Sequence, residues 1–304
     1  MALEAVDEQF ADVGDVTLCY ETFGDPADPA LLLVMGLGTQ MLAWREDFCT
    51  ELAGRGFFVI RYDNRDVGRS THFRDVKPPK PMELVTRKFK RLAYTLEDMA
   101  DDGIGLLDQL GIEHAHIVGA SMGGMIAQVM ALRHPDRVLS LTSIMSTTGG
   151  RLVGQPALRV YPFFLGRPPR GREAAIERIV KLFAVVGSPG FDRDEDDLRA
   201  LAGASFDRDP TSSGTQRQIA AILSAGDRSA DLARVKAPTL VIHGTKDRLV
   251  KPSGGKATAR AIAGARLELI EGMGHDLPRG AWPKLIGAIV DNTARAAGAR
   301  EEAA

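Results

Sequence analysis

Six short apolar runs, bounded by turn residues and interleaved with helical patterns, constrain this chain more than any other feature. LLLVMG (Leu31 to Gly36), FFVIRYD (Phe57 to Asp63), HIVGAS (His116 to Ser121) and VLSLTSIM (Val138 to Met145) form a first group. TLVIHG (Thr239 to Gly244) and RLELIEG (Arg266 to Gly272) follow after a long interval. Near-continuous aliphatic runs of this length suit strands buried on both faces of a parallel sheet. Between them, Leu92, Leu96, Met99, Gly103, Leu106 and Leu110 step by three or four residues, with Thr95 and Asp98 as a capping box and Gly111 as the stop. Met125, Ile126, Val129, Met130 and Leu132 mark a second helix, which His134-Pro135 ends. Strand and helix alternating in this order predict a doubly wound, mostly parallel α/β sheet with right-handed crossovers. In such sheets ligands bind at the carboxyl ends of the strands.

The interval from Gly149 to Arg234 breaks the alternation. It opens with a Pro/Arg-rich stretch (GRPPRGRE), continues with an apolar helical patch (AAIERIVKLFAVV) and an acidic turn (FDRDEDD), and two further helices precede Ala237-Pro238. This is too long for a loop and predicts a helical insertion. Residues 1–148 and 235–304 then form the core, and residues 149–234 the insertion. Tyr161, Phe163, Phe164 and Phe183 fit either a helix core or the wall of a substrate pocket.

With 44% hydrophobic and 26% charged residues among 304, the composition is that of a globular chain with a sizeable core. A formal net charge of −2 gives no electrostatic case for nucleic acid or an anionic membrane. No run approaches the ~18 apolar residues of a membrane span, and the acidic N-terminus lacks a secretory h-region. Cys19 and Cys49 have neither metal-ligand spacing nor a disulfide framework and are expected to be packing residues. A reduced, cytoplasmic protein follows as the expectation.

The stretch VGASMGG (Val118 to Gly124) puts a serine between glycines, directly after a strand-like run and directly before a helix. That context suits a sharp turn that lifts Ser121 onto the end of the sheet as a nucleophile. A serine hydroxyl needs a base, and the base needs a group to orient it. Of the six histidines, only His275 lies in a glycine-rich loop just after a late strand (ELIEGMGHDLP). His114, His116 and His134 fit structural roles, and His243 lies within a strand. Asp247 follows TLVIHG just past a strand end and is the expected acid. Asp276 neighbours His275 but points apart from it, which suits a helix N-terminal residue instead. The stretch STTGG after VLSLTSIM offers no competing carboxylate. An oxyanion needs backbone donors. Met122 N–H opens the helix after the serine, and Leu37 N–H lies in the glycine-rich loop MGLGTQ.

With these residues in hand, the chain resembles the α/β-hydrolase superfamily over nearly its whole length. The matching pieces are VMGLG, RYDNRDVGRS, GASMGG, PTLVIHGTKDRLV and IEGMGHDLP. More narrowly, VMGLGTQMLAW and VIRYDNRDVGRST are similar to bacterial carboxylesterases and lipases near the aclacinomycin methylesterases. The resemblance implies a helical cap in the insertion and core-supporting roles for Asp63, Arg65, Gly68 and Ser70. Relatives often carry histidine-glycine before the oxyanion residue. Here the pair is Met35-Gly36, so a side chain that braces the loop is lost. Serine at 121 argues against the dehalogenases and epoxide hydrolases of this fold, which use aspartate.

The expected activity is a serine ester hydrolase working through Ser121, His275 and Asp247, on a small uncharged or apolar ester, with no metal and no cofactor. A cofactor-free perhydrolase or a carbon–carbon bond hydrolase would use the same three residues. From another class, a ligand-binding receptor would keep them and turn over slowly.

Overall fold

The computed structural model describes residues 7–165, 169–211 and 213–301. Eight strands form one sheet in the order β1-β2-β4-β3-β5-β6-β7-β8. They are β1 (Gln9–Val13), β2 (Val16–Phe23), β3 (Ala30–Val34), β4 (Phe58–Tyr62), β5 (Ala115–Ala120), β6 (Val138–Ile144), β7 (Thr239–Gly244) and β8 (Arg266–Ile270). The six runs named above are β3 to β8, and all five pairings among them are parallel. The helices among the described residues are α1 (Glu46–Ala53), α2 (Pro81–Thr86), α3 (Leu96–Gln109), α4 (Met122–Arg133), α5 (Tyr161–Leu165), α6 (Arg172–Val186), α7 (Glu195–Arg208), α8 (Ser213–Ala225), α9 (Ser229–Leu232), α10 (Ser253–Ala261) and α11 (Trp282–Glu301). None is long and apolar enough to cross a membrane.

Sequence periodicity left out β1 and β2, an antiparallel hairpin turning at Gly14-Asp15 that pairs with β4. QFADV alternates as the edge strand, whereas VTLCYETF is buried between β1 and β4 although it carries the polar residues Thr17, Glu21 and Thr22. The helices match more closely. Thr95 caps α3 and exchanges hydrogen bonds with Asp98, and α4 ends at Arg133 before His134-Pro135.

Strand side chains alternate between two apolar layers, as a period of two requires. Leu32, Val34, Ile60, Tyr62 and Ile117 join α3 and α4 on one face. Leu31, Leu33, Val59 and Val118 join α1 and α11 on the other. Both cysteines are buried and free, and burial pushes each thiol up to about 12.

The chain leaves β3 toward β4 on one side and returns to β5 on the other, which makes the ends of β3 and β5 the switch point of the sheet. Between β6 and β7 the chain departs from the sheet into a helical cap. Helices α6 and α7 pack together around Ile176, Val180 and Ala202. The acidic stretch near Asp194 is less a turn than a helix start: Asp194 accepts the Asp197 N–H, and Glu195, Asp196 and Asp197 fill the first turn of α7. Helix α8 instead contributes Ala221 to the apolar layer of α3 and α4.

Candidate active site

Ser121 stands at the switch point, between β5 and α4, with φ 57° and ψ −119°. A positive φ costs a serine on the order of 1–3 kcal/mol, so the surroundings must impose it. They do so through backbone crowding. A Cβ on Gly119 would lie 2.1 Å from Gly123 O, and one on Gly123 would lie 2.1 Å from Val34 O. Only glycines let β5 turn this sharply into α4 while β3 passes beneath. The first N–H groups of α4 have no partner within the helix, and Met122 N–H is the first of them. The positive end of the helix dipole adds to the field there.

His275 reaches Ser121 from the loop after β8. Its Nε2 lies 3.0 Å from Ser121 Oγ and its Nδ1 lies 2.7 Å from Asp247 Oδ2. A carboxylate can only accept at Nδ1, so the proton sits on Nδ1 and Nε2 is left to accept from the hydroxyl. The loop is tied to the cap: His275 N–H donates to Val186 O at 2.7 Å and Gly190 N–H to Gly272 O at 3.0 Å. Asp276 is not a helix N-terminal residue. It accepts a hydrogen bond from Ser188 Oγ of the cap, and Ser188 Oγ also accepts from Gly274 N–H at 2.8 Å. The short helix in this segment begins only at Arg279, so Asp276 has no helix end to cap.

Asp247 is buried and fully bonded. Its Oδ1 accepts the N–H groups of Leu249 and Val250 at 2.8 and 2.9 Å. Its Oδ2 accepts from His275, and His243 Nε2 lies 3.3 Å away. Burial alone would raise its pKa. The charge on His275 and the hydrogen bonds of His243 and His275 outweigh burial and bring it down to about 2. His243 was read from sequence only as a strand residue. It is buried with Nε2 2.7 Å from Val250 O, so it packs directly against the acid.

The loop after β3 passes close over the serine. A Cβ on Gly36 would stand 3.0 Å from Ser121 Cβ, and Leu37 is the next residue of the loop. Asn64 Nδ2 donates to Met35 O at 2.9 Å, and Gly38 N–H donates to Gln218 Oε1 at 2.8 Å. Sequence reasoning missed both side chains. Asn64 lies inside the quoted RYDNRDVGRS, but Gln218 is 180 residues from Gly38 and has no local signal. The neighbouring residues form a support. Asp63 accepts from Met41 N–H and Arg69 N–H, Ser70 Oγ donates to Asp63 O, and Arg65 makes two bonds of 2.6 Å to Asp102.

Among the described residues the cap's apolar core consists of Ile176, Val180 and Ala202, without Tyr161, Phe163 or Phe183. Tyr161 is exposed, and Phe163 and Phe183 are half-buried. The side chain of Phe164 lies outside the described residues. Phe183 sits on the last turn of α6, three residues before the carbonyl that holds His275.

A hydroxyl, an imidazole and a carboxylate in one hydrogen-bonded line, beside the N-terminus of α4, can activate an oxygen nucleophile and stabilise an oxyanion. The family described as alpha/beta hydrolase fold matches residues 29–278. The chain belongs to the α/β-hydrolase family. Rhodomycin D methylesterase DauP of Streptomyces sp. is 32% identical over 304 residues, covering 92% of this chain and 95% of its own. The enol-lactonase from Burkholderia xenovorans LB400 superposes with a TM-score of 0.72 at 26% identity, covering 93% of this chain and 99% of its own. The 2-hydroxy-6-oxo-6-phenylhexa-2,4-dienoate hydrolase of Rhodococcus sp. strain RHA1 has a TM-score of 0.71 at 22% identity, covering 96% and 99%, and shares the fold. This α/β-hydrolase is thus an enzyme of the serine-hydrolase type, related to the rhodomycin methylesterases and similar bacterial hydrolases.

Proposed function

We propose that the protein hydrolyses carboxylic esters through a covalent acyl-enzyme on Ser121. The observation that carries the reading is the unbroken line from Ser121 through His275 to Asp247, at 3.0 and 2.7 Å. His275 Nε2 takes the hydroxyl proton as Ser121 Oγ attacks the carbonyl carbon. The N–H groups of Leu37 and Met122 hold the oxyanion. His275 then gives the proton to the leaving alcohol, while Asp247 keeps Nδ1 protonated. Water repeats the sequence on the acyl-enzyme and frees the acid. Residues 149–234 act as the cap that selects the substrate, with Tyr161, Phe163, Phe164 and Phe183 as apolar wall residues. The methylesterase and enol-lactonase relatives, which act on an ester and a lactone, support this bond class.

Carbon–carbon hydrolysis is the second reading. Hydrolases of meta-cleavage products recur among the solved structures that share this fold, and that recurrence weighs toward it. In that reaction the same oxyanion forms on a ketone, and the leaving group is carbon instead of oxygen. One experiment separates the two: purified wild type and Ser121→Ala are assayed on p-nitrophenyl esters, a methyl ester, an enol-lactone and a 2-hydroxy-6-oxo-dienoate. Turnover of the esters or lactone, lost on the order of 10⁶-fold in Ser121→Ala, supports the first reading. Turnover confined to the dienoate supports the second. Equal rates in wild type and variant would reject a Ser121 nucleophile altogether.

A further inference from the structure

The pair Met35-Gly36 leaves the oxyanion loop without a histidine beside it, so something else must hold the loop. Its two flanks are fixed by side chains from different places. Asn64 holds Met35 O from the loop after β4. Gln218 holds Gly38 N–H from cap-side helix α8, with 2.8 Å between Gly38 N and Gln218 Oε1. The other end of that carboxamide is also occupied, because Gln218 Nε2 donates to Arg65 O at 2.9 Å. Gln218 is fully buried, so both bonds lie where water does not compete.

Helix α8 itself is pinned over the loop. Arg217, one residue before Gln218, makes two bonds of 2.7 Å to Asp66. A Cβ on Gly214 would lie 2.0 Å from Asp66 O, so the first turn of the helix rests on the Asp66 backbone. Thr215 closes the third side: Gly38, at φ +61°, has so little room that a Cβ would lie 2.7 Å from Thr215 Oγ1. The peptide between Leu37 and Gly38 is thus held by Gln218 at its N–H and by Thr39 Oγ1 at its carbonyl, and it adjoins the Gly36–Leu37 peptide that carries Leu37 N–H.

We infer that Gln218 is the positioning residue of the oxyanion loop: by fixing Gly38 N–H, its carboxamide aims Leu37 N–H at the carbonyl oxygen attacked by Ser121. The inference rests on the proposed Ser121 chemistry and adds a partner to it. Gln218 touches no substrate atom in this scheme. The helix that follows the cap's inner pair is thereby part of the oxyanion hole, and a change in the seating of α8 changes catalysis as well as access.

The test uses Gln218→Met, which keeps length and apolar volume but neither polar group. Gln218→Asn is the companion: it stays polar but is one methylene too short to span Gly38 and Arg65, and it serves if the Met variant does not fold. Both are compared with wild type by kcat, KM, the rate of Ser121 labelling by a fluorophosphonate, and affinity for a trifluoromethyl ketone. The ketone's adduct places an oxyanion in the hole. Loss of an oxyanion donor outright costs roughly 10²- to 10³-fold. A donor that is present but poorly aimed should therefore cost roughly 10- to 100-fold in kcat, with KM within about threefold. Labelling rate and ketone affinity should fall with kcat. Folded variants whose labelling and ketone affinity match wild type, or in which KM alone rises, would overturn the inference. If wild type is neither labelled at Ser121 nor inhibited by the ketone, the proposed chemistry fails first and this inference falls with it.

Discussion

The sheet core and the cap hold themselves together by different means. In the core, Ser121 is positioned by contacts between backbones: Gly119 against Gly123, Gly123 against Val34, Gly36 against Ala120. Two extensive apolar layers enclose those contacts. The cap pair α6 and α7 has an apolar core of Ile176, Val180 and Ala202, with Ile179 and Leu198 packed against it. Around α7 its attachment is polar and made by side chains, whereas the end of α6 meets the His275 loop backbone to backbone, Gly190 N–H on Gly272 O and His275 N–H on Val186 O. Arg208 pairs with Asp63 and Glu8, Arg45 with Asp197, and Gln40 Nε2 donates to Ser205 O. Backbone crowding tolerates no substitution and gives one geometry. Polar side-chain links tolerate replacement and can part and reform. The proposed reacting groups thus sit on the rigid half, and substrate selection is proposed for the cap, whose Val186, Ser188 and Gln218 also brace the loops around those groups.

Gly123→Ala is the harshest way to break that comparison. The new methyl would meet Val34 O at 2.1 Å and Met35 O at 2.8 Å. These atoms belong to the central strand and its oxyanion loop and cannot move aside cheaply. We expect a loss of about 4 kcal/mol or more, in the range reserved for severe core lesions, together with loss of activity. The same change at Gly287 in α11 meets nothing within 4 Å. There it should raise stability by roughly 0.5–1 kcal/mol, because glycine is the poorer helix former. Urea unfolding of the two variants gives the contrast directly. Similar midpoints would refute the claim that backbone crowding sets the geometry of the elbow.

The same contrast explains what was legible in the sequence. Crowded backbones demand glycine and buried strands demand aliphatic runs. For that reason the six strands, the Ser121 turn and the loops carrying Asp247 and His275 stood out in a single chain. The hairpin β1–β2 did not, because β1 alternates as an edge strand and the buried β2 interrupts its apolar residues with Thr17, Glu21 and Thr22. The side chains that brace the site were illegible for another reason. Gln218 and Ser188 act on groups far along the chain, Gly38 and Asp276, and no local spacing links them. His243 lies four residues before Asp247, so its contact was within reach of a register argument. Its place inside an apolar strand masked it. The cap aromatics show the limit of periodicity, since helical spacing does not say which face is covered.

Arg208→Met tests the cap's attachment. Arg208 is half-buried against the fully buried Asp63, and its Nε and Nη2 lie 2.7 Å from Glu8 and 2.8 Å from Asp63. Burial works against its charge, but Asp63 and Glu8 more than compensate and raise its pKa. Removing one partner of a buried pair leaves the other charge uncompensated, at a cost of about 3–5 kcal/mol. The loss should concentrate at the cap, so limited proteolysis should cut faster between α6 and α8 while core fragments stay intact. Uniform acceleration of cleavage throughout the chain would mean that cap and core unfold as one unit.

Asp247→Asn is the smallest and most pointed change, because Asp247 is a core group held by charge instead of by crowding. Its folded pKa of about 2 lies below the ordinary 3.8, so the fold favours the carboxylate. That contribution is fully present above about pH 4 and is lost as pH falls through 2. A shift of this size corresponds to about 2 kcal/mol. The stability gap between wild type and Asp247→Asn, read from urea unfolding in steps from pH 4.5 downward, should therefore shrink by about that amount. Every other carboxylate is common to both proteins and cancels in the difference. Parallel curves would show that the N–H groups of Leu249 and Val250 and the two histidines hold an amide as well as an anion. The acid's place would then be set by backbone shape like the rest of the core. A gap that closes as expected would mark Asp247 as a part of the rigid half whose hold is electrostatic, as the proposed chemistry asks of a group that keeps His275 oriented through a change of charge.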